Sequence, residues 1–195
     1  MKPILAITMG DPAGIGPEIT VRALNRKETY EKCRPIVTGD AEIMRQAILL
    51  LGFGLKINPI ANVKDAKFEY GTIDVYDLQC VDLSTFEFGK VQAQCGNAAF
   101  QYIKKAIELA MADEVDGTVT APLNKEALNL AGHHFDGHTE IYATFTNTKK
   151  YAMMLADENI RVIHVSTHVP LRKACDLVKK ARVMECVELI DDACR

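Results

Sequence analysis

Three short apolar runs, each ending in a turn and followed by a helical pattern, constrain the fold of this chain most. Residues 4–8 (ILAIT) end at Met9-Gly10, residues 34–39 (RPIVTG) end at Asp40, and residues 117–121 (GTVTA) end at Pro122. The run at 4–8 is apolar and β-branched without polar alternation, which fits a strand covered on both faces. Because strands alternate with helices along the chain, the sequence predicts an α/β protein.

The rest of the pattern fits that class. Pro17 stands where a helix can begin, since proline tolerates an early helical position, and Asp40 is a candidate N-cap for a helix over 41–51. Further helices are predicted over 94–111, over 124–130 and from about 171 through 193. Two strands over 151–156 and 160–166, joined by a polar turn, read as a hairpin. Together with the parallel strands, the hairpin predicts a mixed sheet.

Length and composition exclude several function classes. The 195 residues can form one ordinary domain or most of two small ones, and 48% hydrophobic with 25% charged residues is typical of a soluble globular protein. A net charge of −3 without a basic block argues against nucleic-acid binding. We expect neither a signal peptide nor a membrane span, since no run of about 18 apolar residues occurs. The six cysteines lack CxxC spacing, which indicates reduced thiols in a cytoplasmic protein.

Two segments at strand ends are candidate anion sites. The glycine-rich residues 10–18 can expose backbone N–H groups at a helix N-terminus, but they match neither GxGxxG nor a loop ending in Gly-Lys-Ser/Thr. A tight structural turn and an anion contact therefore both stay open. Lys125 follows another strand end, where ligands of open α/β sheets gather, and it is either a substrate contact or a solvated surface lysine.

Histidines mark two further loops. His134 and His138 have the HxxxH spacing of zinc sites, but Gly137 argues against a continuous helix there. We instead expect His138 and Thr139 to project from a loop or a helix start, with Glu140 orienting His138 or capping the helix.

The second loop carries His168 after the predicted hairpin. A histidine at a strand end is well placed for a divalent cation, although a lone histidine is more often a structural group. His164, inside the strand, is assigned to such a structural role. Arg172 can bind a carboxylate or phosphate, or pair at the start of the last helix.

Four segments taken together resemble one enzyme family. They follow the same order as in that family: residues 8–18 (TMGDPAGIGPE), 120–125 (TAPLNK), 137–140 (GHTE) and 166–172 (STHVPLR). The chain resembles the N-terminal part of the 4-hydroxythreonine-4-phosphate dehydrogenases of vitamin B6 biosynthesis, including their paralogues that act on four-carbon acid phosphates.

The resemblance implies a fold, a reaction and partners. It implies part of an isocitrate/isopropylmalate-dehydrogenase-like α/β/α fold, with residues 1–195 forming the N-terminal portion of a two-domain enzyme and the C-terminal portion absent. The implied reaction is the NAD-dependent (or NADP-dependent) oxidation, with decarboxylation, of 4-phosphooxy-L-threonine in pyridoxal phosphate biosynthesis. A divalent metal (zinc, magnesium, manganese or cobalt) and a homodimer with an interfacial active site are implied as well.

The resemblance also assigns residues by position. His138 and Thr139 correspond to substrate-binding residues and His168 to a metal ligand, whereas two further metal-binding histidines of the family belong to the absent portion. We therefore expect this segment alone to be inactive and to bind metal weakly. A paralogue oxidising D-threonate or D-erythronate 4-phosphate is an alternative, and a non-catalytic fragment or binding module is another. An acyl- or phosphate-transferase is a more distant possibility.

Overall fold

The computed structural model describes residues 1–195, which form two compact units, Met1–Thr146 and Asn147–Arg195. The first unit contains a five-stranded sheet in which every neighbouring pair is parallel. The strand order is β3-β4-β2-β1-β5. The strands are β1 (Ile4–Thr8), β2 (Arg34–Gly39), β3 (Lys56–Ile60), β4 (Thr72–Asp77) and β5 (Gly117–Thr120).

Helices cover both faces of this sheet. They are α1 (Gly16–Leu24), α2 (Lys27–Lys32), α3 (Ala41–Leu51), α4 (Ala93–Met111), α5 (Lys125–Leu130) and α6 (His138–Phe145), with a short 3-10 helix at Val63–Asp65. Successive strand residues point to opposite faces. In β2, Ile36 packs with residues of α4, whereas Val37 packs with residues of α1 and α3. The unit is therefore a three-layer α/β/α structure.

The register aligns the carboxyl ends of three neighbouring strands, β2, β1 and the edge strand β5. Thr8 of β1 stands opposite Thr38 of β2 on one side and Thr120 of β5 on the other. The segments that follow β1 and β5 consequently leave the sheet at the same edge. Ligands of open parallel sheets bind at that edge.

The second unit holds a small antiparallel pair and two helices. The elements are β6 (Met154–Ala156), β7 (Arg161–Ile163), α7 (Leu171–Leu177) and α8 (Lys180–Cys194). The prediction of one final helix from about 171 through 193 is wrong, because α7 ends before α8 begins. Arg182 at the start of α8 donates from Nε to the Val165 carbonyl and from a terminal nitrogen to the Tyr151 carbonyl, both at 3.0 Å. These tertiary bonds place α8 against the hairpin.

The predicted α/β class is confirmed, with parallel and antiparallel pairing in two separate sheets. The expected N-cap role of Asp40 is wrong: its carboxylate accepts the N–H groups of Cys80 and Val81 at 2.9 and 2.7 Å, while the Ala41 N–H donates to Asp77. Asp40 thus anchors the segment after β4 instead of a helix. None of the helices combines the length and the apolar character needed to span a membrane.

Candidate functional site

The glycine-rich turn after β1 touches the segment after β5. Gly10 has a φ of +76°, and a Cβ there would lie 2.4 Å from the Pro122 carbonyl oxygen. Only glycine fits this backbone conformation and this distance without strain. The Asp11 N–H donates to the same carbonyl at 3.0 Å. The two motifs that the sequence marked as candidate anion sites therefore meet at one sheet edge.

Asp11 fixes the shape of the turn. Its Oδ1 accepts the Ala13 N–H at 2.8 Å, and its backbone carbonyl accepts the Gly14 N–H at 3.1 Å. The Ala13 carbonyl in turn accepts the Gly89 N–H at 2.9 Å. Asp11 is only 5% exposed, and this burial raises the pKa of its carboxyl, with the Ala13 hydrogen bond acting in the opposite direction. Sequence reasoning missed Asp11, although an aspartate two residues before a candidate turn N–H is a usable signal.

An open cleft of about 410 Å³ lies between the two segments. Its lining residues are Asp11, Gly14, Ile15, Pro122, Leu123, Asn124 and Lys125. Asn124 caps α5, because its Oδ1 accepts the N–H groups of Glu126 and Ala127. Lys125 is exposed and forms no ion pair, so its positive charge is available to a ligand in the cleft.

His138 is the first residue of α6 and is half-buried. Its Nε2 is shielded from solvent and has no hydrogen-bond partner. Burial lowers the pKa of the imidazole, and a hydrogen bond with the backbone of Ala121, the residue after β5, opposes that effect. His138 is therefore a neutral imidazole near the end of β5 with one ring nitrogen unused. Thr139 beside it is exposed, and its hydroxyl forms no hydrogen bond.

The histidines before α6 do not join His138 in a metal site. His134 is exposed and shares a hydrogen bond with Asn129 at 3.1 Å, and it precedes the helix that begins at His138. The expectation that HxxxH does not lie on one continuous helix is confirmed. Glu140 lies in the first turn of α6 and forms no hydrogen bond with His138.

His168 belongs to the second unit, in the loop between β7 and α7. Its φ is +53°, its side chain is exposed, and its imidazole has no hydrogen-bond partner. Among residues 1–195, no group of three or more histidine, cysteine, aspartate or glutamate side chains is arranged to hold a metal ion.

His164 and Arg172, the two other residues of the second unit that the sequence analysis considered, differ in their contacts. The Nδ1 of His164 lies 3.2 Å from the Met153 carbonyl, which supports the structural role expected for it. Arg172 is exposed in the first turn of α7 and makes no ion pair.

A family model and two relatives match most of this chain. Residues 31–195 match the family model described as pyridoxal phosphate biosynthetic protein PdxA. A relative from Clostridium botulinum is 47% identical over 94% of this chain and 55% of its own length, and one from Fusobacterium nucleatum is 44% identical over 96% and 57%. The description of each proposes a D-threonate 4-phosphate dehydrogenase. The chain thus spans little more than half the length of these relatives.

Solved structures of related dehydrogenases have the same fold as this chain. A 4-hydroxythreonine-4-phosphate dehydrogenase from Burkholderia phymatum superposes with a TM-score of 0.89 at 41% identity, covering 96% of this chain and 57% of the other. The corresponding enzyme from Klebsiella pneumoniae gives a TM-score of 0.92 at 39% identity, covering 98% and 58%. The α/β arrangement described above is therefore part of the fold of these dehydrogenases.

Proposed function

The chain belongs to the PdxA family. We propose that it supplies substrate-binding residues of a dehydrogenase that acts on a phosphorylated four-carbon hydroxy acid. In this reaction a secondary alcohol loses a hydride to NAD (or NADP) and a proton to a base, giving a ketone. The bond to the carboxyl carbon then breaks: carbon dioxide leaves, the electron pair of that bond passes to the ketone oxygen as an enolate, and the carbon takes up a proton to give the product ketone. His138 and Thr139 bind the substrate, and His168 provides one metal ligand.

One observation carries this proposal: the shielded, unpartnered Nε2 of His138. A buried polar atom without a partner is costly, so such atoms are uncommon unless a ligand completes them. A substrate hydroxyl can form the missing hydrogen bond. Because the pKa of His138 is lowered, the imidazole is neutral at pH 7 and carries one N–H, which donates to the backbone of Ala121; Nε2 therefore accepts a hydrogen bond from the ligand.

The cleft beside Lys125 supports an anionic ligand. Its lysine is unpaired, and the turn at its other wall leads into the N-terminus of α1. A lysine and a helix N-terminus both favour negative charge. We assign this cleft to an anionic group of the bound molecule, with Asp11 fixing the turn instead of contacting the anion.

The substrate favoured here is D-threonate 4-phosphate. The two curated relatives at 47% and 44% identity are described by that substrate, whereas the 39–41% identical structures are described by 4-hydroxythreonine 4-phosphate. The pyridoxal phosphate reaction on 4-phosphooxy-L-threonine is the second candidate, favoured by the family description.

The metal and the assembly are further parts of the proposal. His168 would hold a divalent cation as one of its ligands, and the bound cation would supply Lewis-acid polarisation of a substrate oxygen. We propose that His168 supplies one of the ligands and that the others are the two further histidines that the resemblance implies outside this segment. A homodimer with an interfacial active site and a cytoplasmic location stay predictions, as does residue range 1–195 forming the N-terminal portion of a two-domain enzyme.

A binding experiment tests the proposal on the chain itself. D-threonate 4-phosphate and 4-phosphooxy-L-threonine are titrated separately while the imidazole resonances of His138 are followed by NMR. We expect D-threonate 4-phosphate to shift them and His138→Ala to abolish the binding, with His134→Ala as the matched control. If neither compound perturbs His138, the assignment of this site is wrong, and a non-catalytic module becomes the better interpretation.

An activity measurement complements the binding experiment. NADH formation is followed with the 195-residue chain and with any longer product of its gene, first with metal and then with chelator. We expect turnover only for a chain that brings the remaining metal ligands. Turnover that is insensitive to chelator contradicts the metal-dependent reaction.

A further inference from the structure

His133 lies five residues before His138 and is not exposed like its neighbour His134. Its ring stacks on Phe100 of α4, with centroids 3.8 Å apart and planes inclined by 15°. Its Nε2 lies 3.0 Å from the Asn97 Oδ1 on the same helix. Two independent contacts, one aromatic and one polar, thus fix both the plane and the rotation of this ring.

The other hydrogen bonds of the segment between α5 and α6 attach it at its α5 end: the His133 N–H donates to the Leu128 carbonyl at 3.0 Å, and His134 bonds with Asn129. Gly132, with a φ of +84°, and Gly137 flank it, and His134 and Asp136 are exposed. No side chain caps the N-terminus of α6. The start of α6, where His138 lies, is therefore held by the side chains of this segment that reach the core, together with the buried Ile141 of α6 itself.

Phe100 is the centre to which the segment attaches. Besides His133, it contacts Phe135 at 5.9 Å and Phe145, the last residue of α6, at 5.6 Å between ring centroids. Contacts therefore hold the chain on both sides of His138. Of these partners only His133 has a hydrogen bond that sets its orientation.

Helix α4, which carries Phe100 and Asn97, packs closely against α5. Gly96 precedes Asn97, and a Cβ at Gly96 would lie 2.0 Å from the Ala127 carbonyl oxygen of α5. Backbones of α4 and α5 thus touch directly, which leaves Asn97 little freedom to move relative to the residues after α5. Asn97 is a fixed reference point for His133.

We propose that His133 is a positioning residue: stacked on Phe100 and bonded to Asn97, it holds the start of α6 so that His138 presents Nε2 to the substrate. This inference rests on the proposed substrate role of His138. Burial, followed by the nearby His134, lowers the pKa of His133, so the ring is neutral at pH 7. Neutral His133 keeps one N–H, which donates to Asn97 when the proton is on Nε2.

The test compares His133→Ala and His133→Phe with His134→Ala in the whole chain. First, the pKa of His138 is measured by NMR without any ligand, a quantity that a purely structural residue elsewhere does not change. His133→Ala releases the start of α6 to solvent, so the pKa of His138 is expected to rise toward 6.5, the value of a free histidine. His133→Phe keeps the stacking and loses the bond to Asn97, and it is expected to give a smaller rise.

Second, the dissociation constant for D-threonate 4-phosphate is measured for the same variants. Displacement of a binding group by about 1 Å can cost about 100-fold, so we expect binding to weaken by about tenfold or more in His133→Ala, less in His133→Phe and not in His134→Ala. If the pKa of His138 is the same in His133→Phe, His134→Ala and the original chain, the inference is wrong. This criterion applies even if His133→Ala fails to fold. If the pKa responds but no variant binds the compound, the proposed function fails while the positioning role stands.

Discussion

Gly96→Ala tests the contact on which the α4–α5 packing depends. The added Cβ would lie 2.0, 2.2 and 2.6 Å from three backbone atoms of Ala127 and Leu128. Ordinary contact begins at 3.4 Å, so one helix has to move by about 1.4 Å relative to the other. Backbone atoms cannot rotate away as a flexible side chain can, and the displacement therefore affects the whole of α5.

The expected magnitude follows from two opposing effects. Replacing glycine by alanine within a helix favours folding by about 1 kcal/mol. Overpacking costs about 1–3 kcal/mol, and contact with rigid backbone places this variant near the upper value. The net loss in the free energy of unfolding is therefore about 2 kcal/mol. For a chain of this size, that corresponds to a decrease in Tm of roughly 4–8 °C.

Urea unfolding followed by circular dichroism measures this loss. Gly54→Ala is the control, because a Cβ at Gly54 meets nothing within 4 Å and the backbone there has no positive φ. We expect Gly54→Ala to behave like the original chain. A Gly96→Ala variant with unchanged or increased stability refutes the close approach of the two helices, and with it the fixed position of Asn97.

Three further outcomes are expected. Asn124→Ala removes the side-chain cap of α5 and should lower the free energy of unfolding in urea by about 1 kcal/mol; an unchanged free energy of unfolding would contradict the cap. Asp40→Asn leaves one of two partly buried backbone N–H groups without its carboxylate acceptor and should lower the free energy of unfolding in urea by about 1 kcal/mol. Because the pKa of His138 is lowered in the folded chain, the unfolded chain binds a proton at higher pH than the folded chain does. The free energy of unfolding should therefore fall as the pH decreases from about 6.5 to the folded pKa. His138→Gln should flatten that part of the profile of unfolding free energy against pH.

Hydrophobic periodicity predicted the main elements because burial determines them. Residues 4–8, 34–39 and 117–120 form strands as expected. The runs of β1 and β2 lie inside the sheet and are largely buried, whereas β5 is an edge strand whose last two residues are exposed. The break between α7 and α8 carries no glycine or proline. It was missed because tertiary bonds from Arg182, which no local pattern encodes, hold the start of α8.

The candidate site was predictable only in part. The glycine turn and Lys125 were each visible in sequence, but their approach depends on the pairing of β1 with β5, which are more than 100 residues apart. Asp40 was expected to cap a helix because aspartate at that position commonly does so. Its carboxylate instead faces two N–H groups of a distant segment, and a choice between local and distant partners needs the folded structure.

The pairing of β1 also has a consequence during synthesis. One side of β1 pairs with β2 some 30 residues later, but the other side waits for β5, whose Gly117 pairs with Leu5. At a ribosomal rate of about 5–20 residues per second, the delay between these two partners lasts several seconds to roughly 20 s. Throughout that interval an apolar strand destined for the middle of the sheet is an open edge, able to pair with other nascent chains. Slowed elongation between β2 and β5 should therefore increase aggregation of this protein, whereas chaperones that bind extended apolar segments should reduce it.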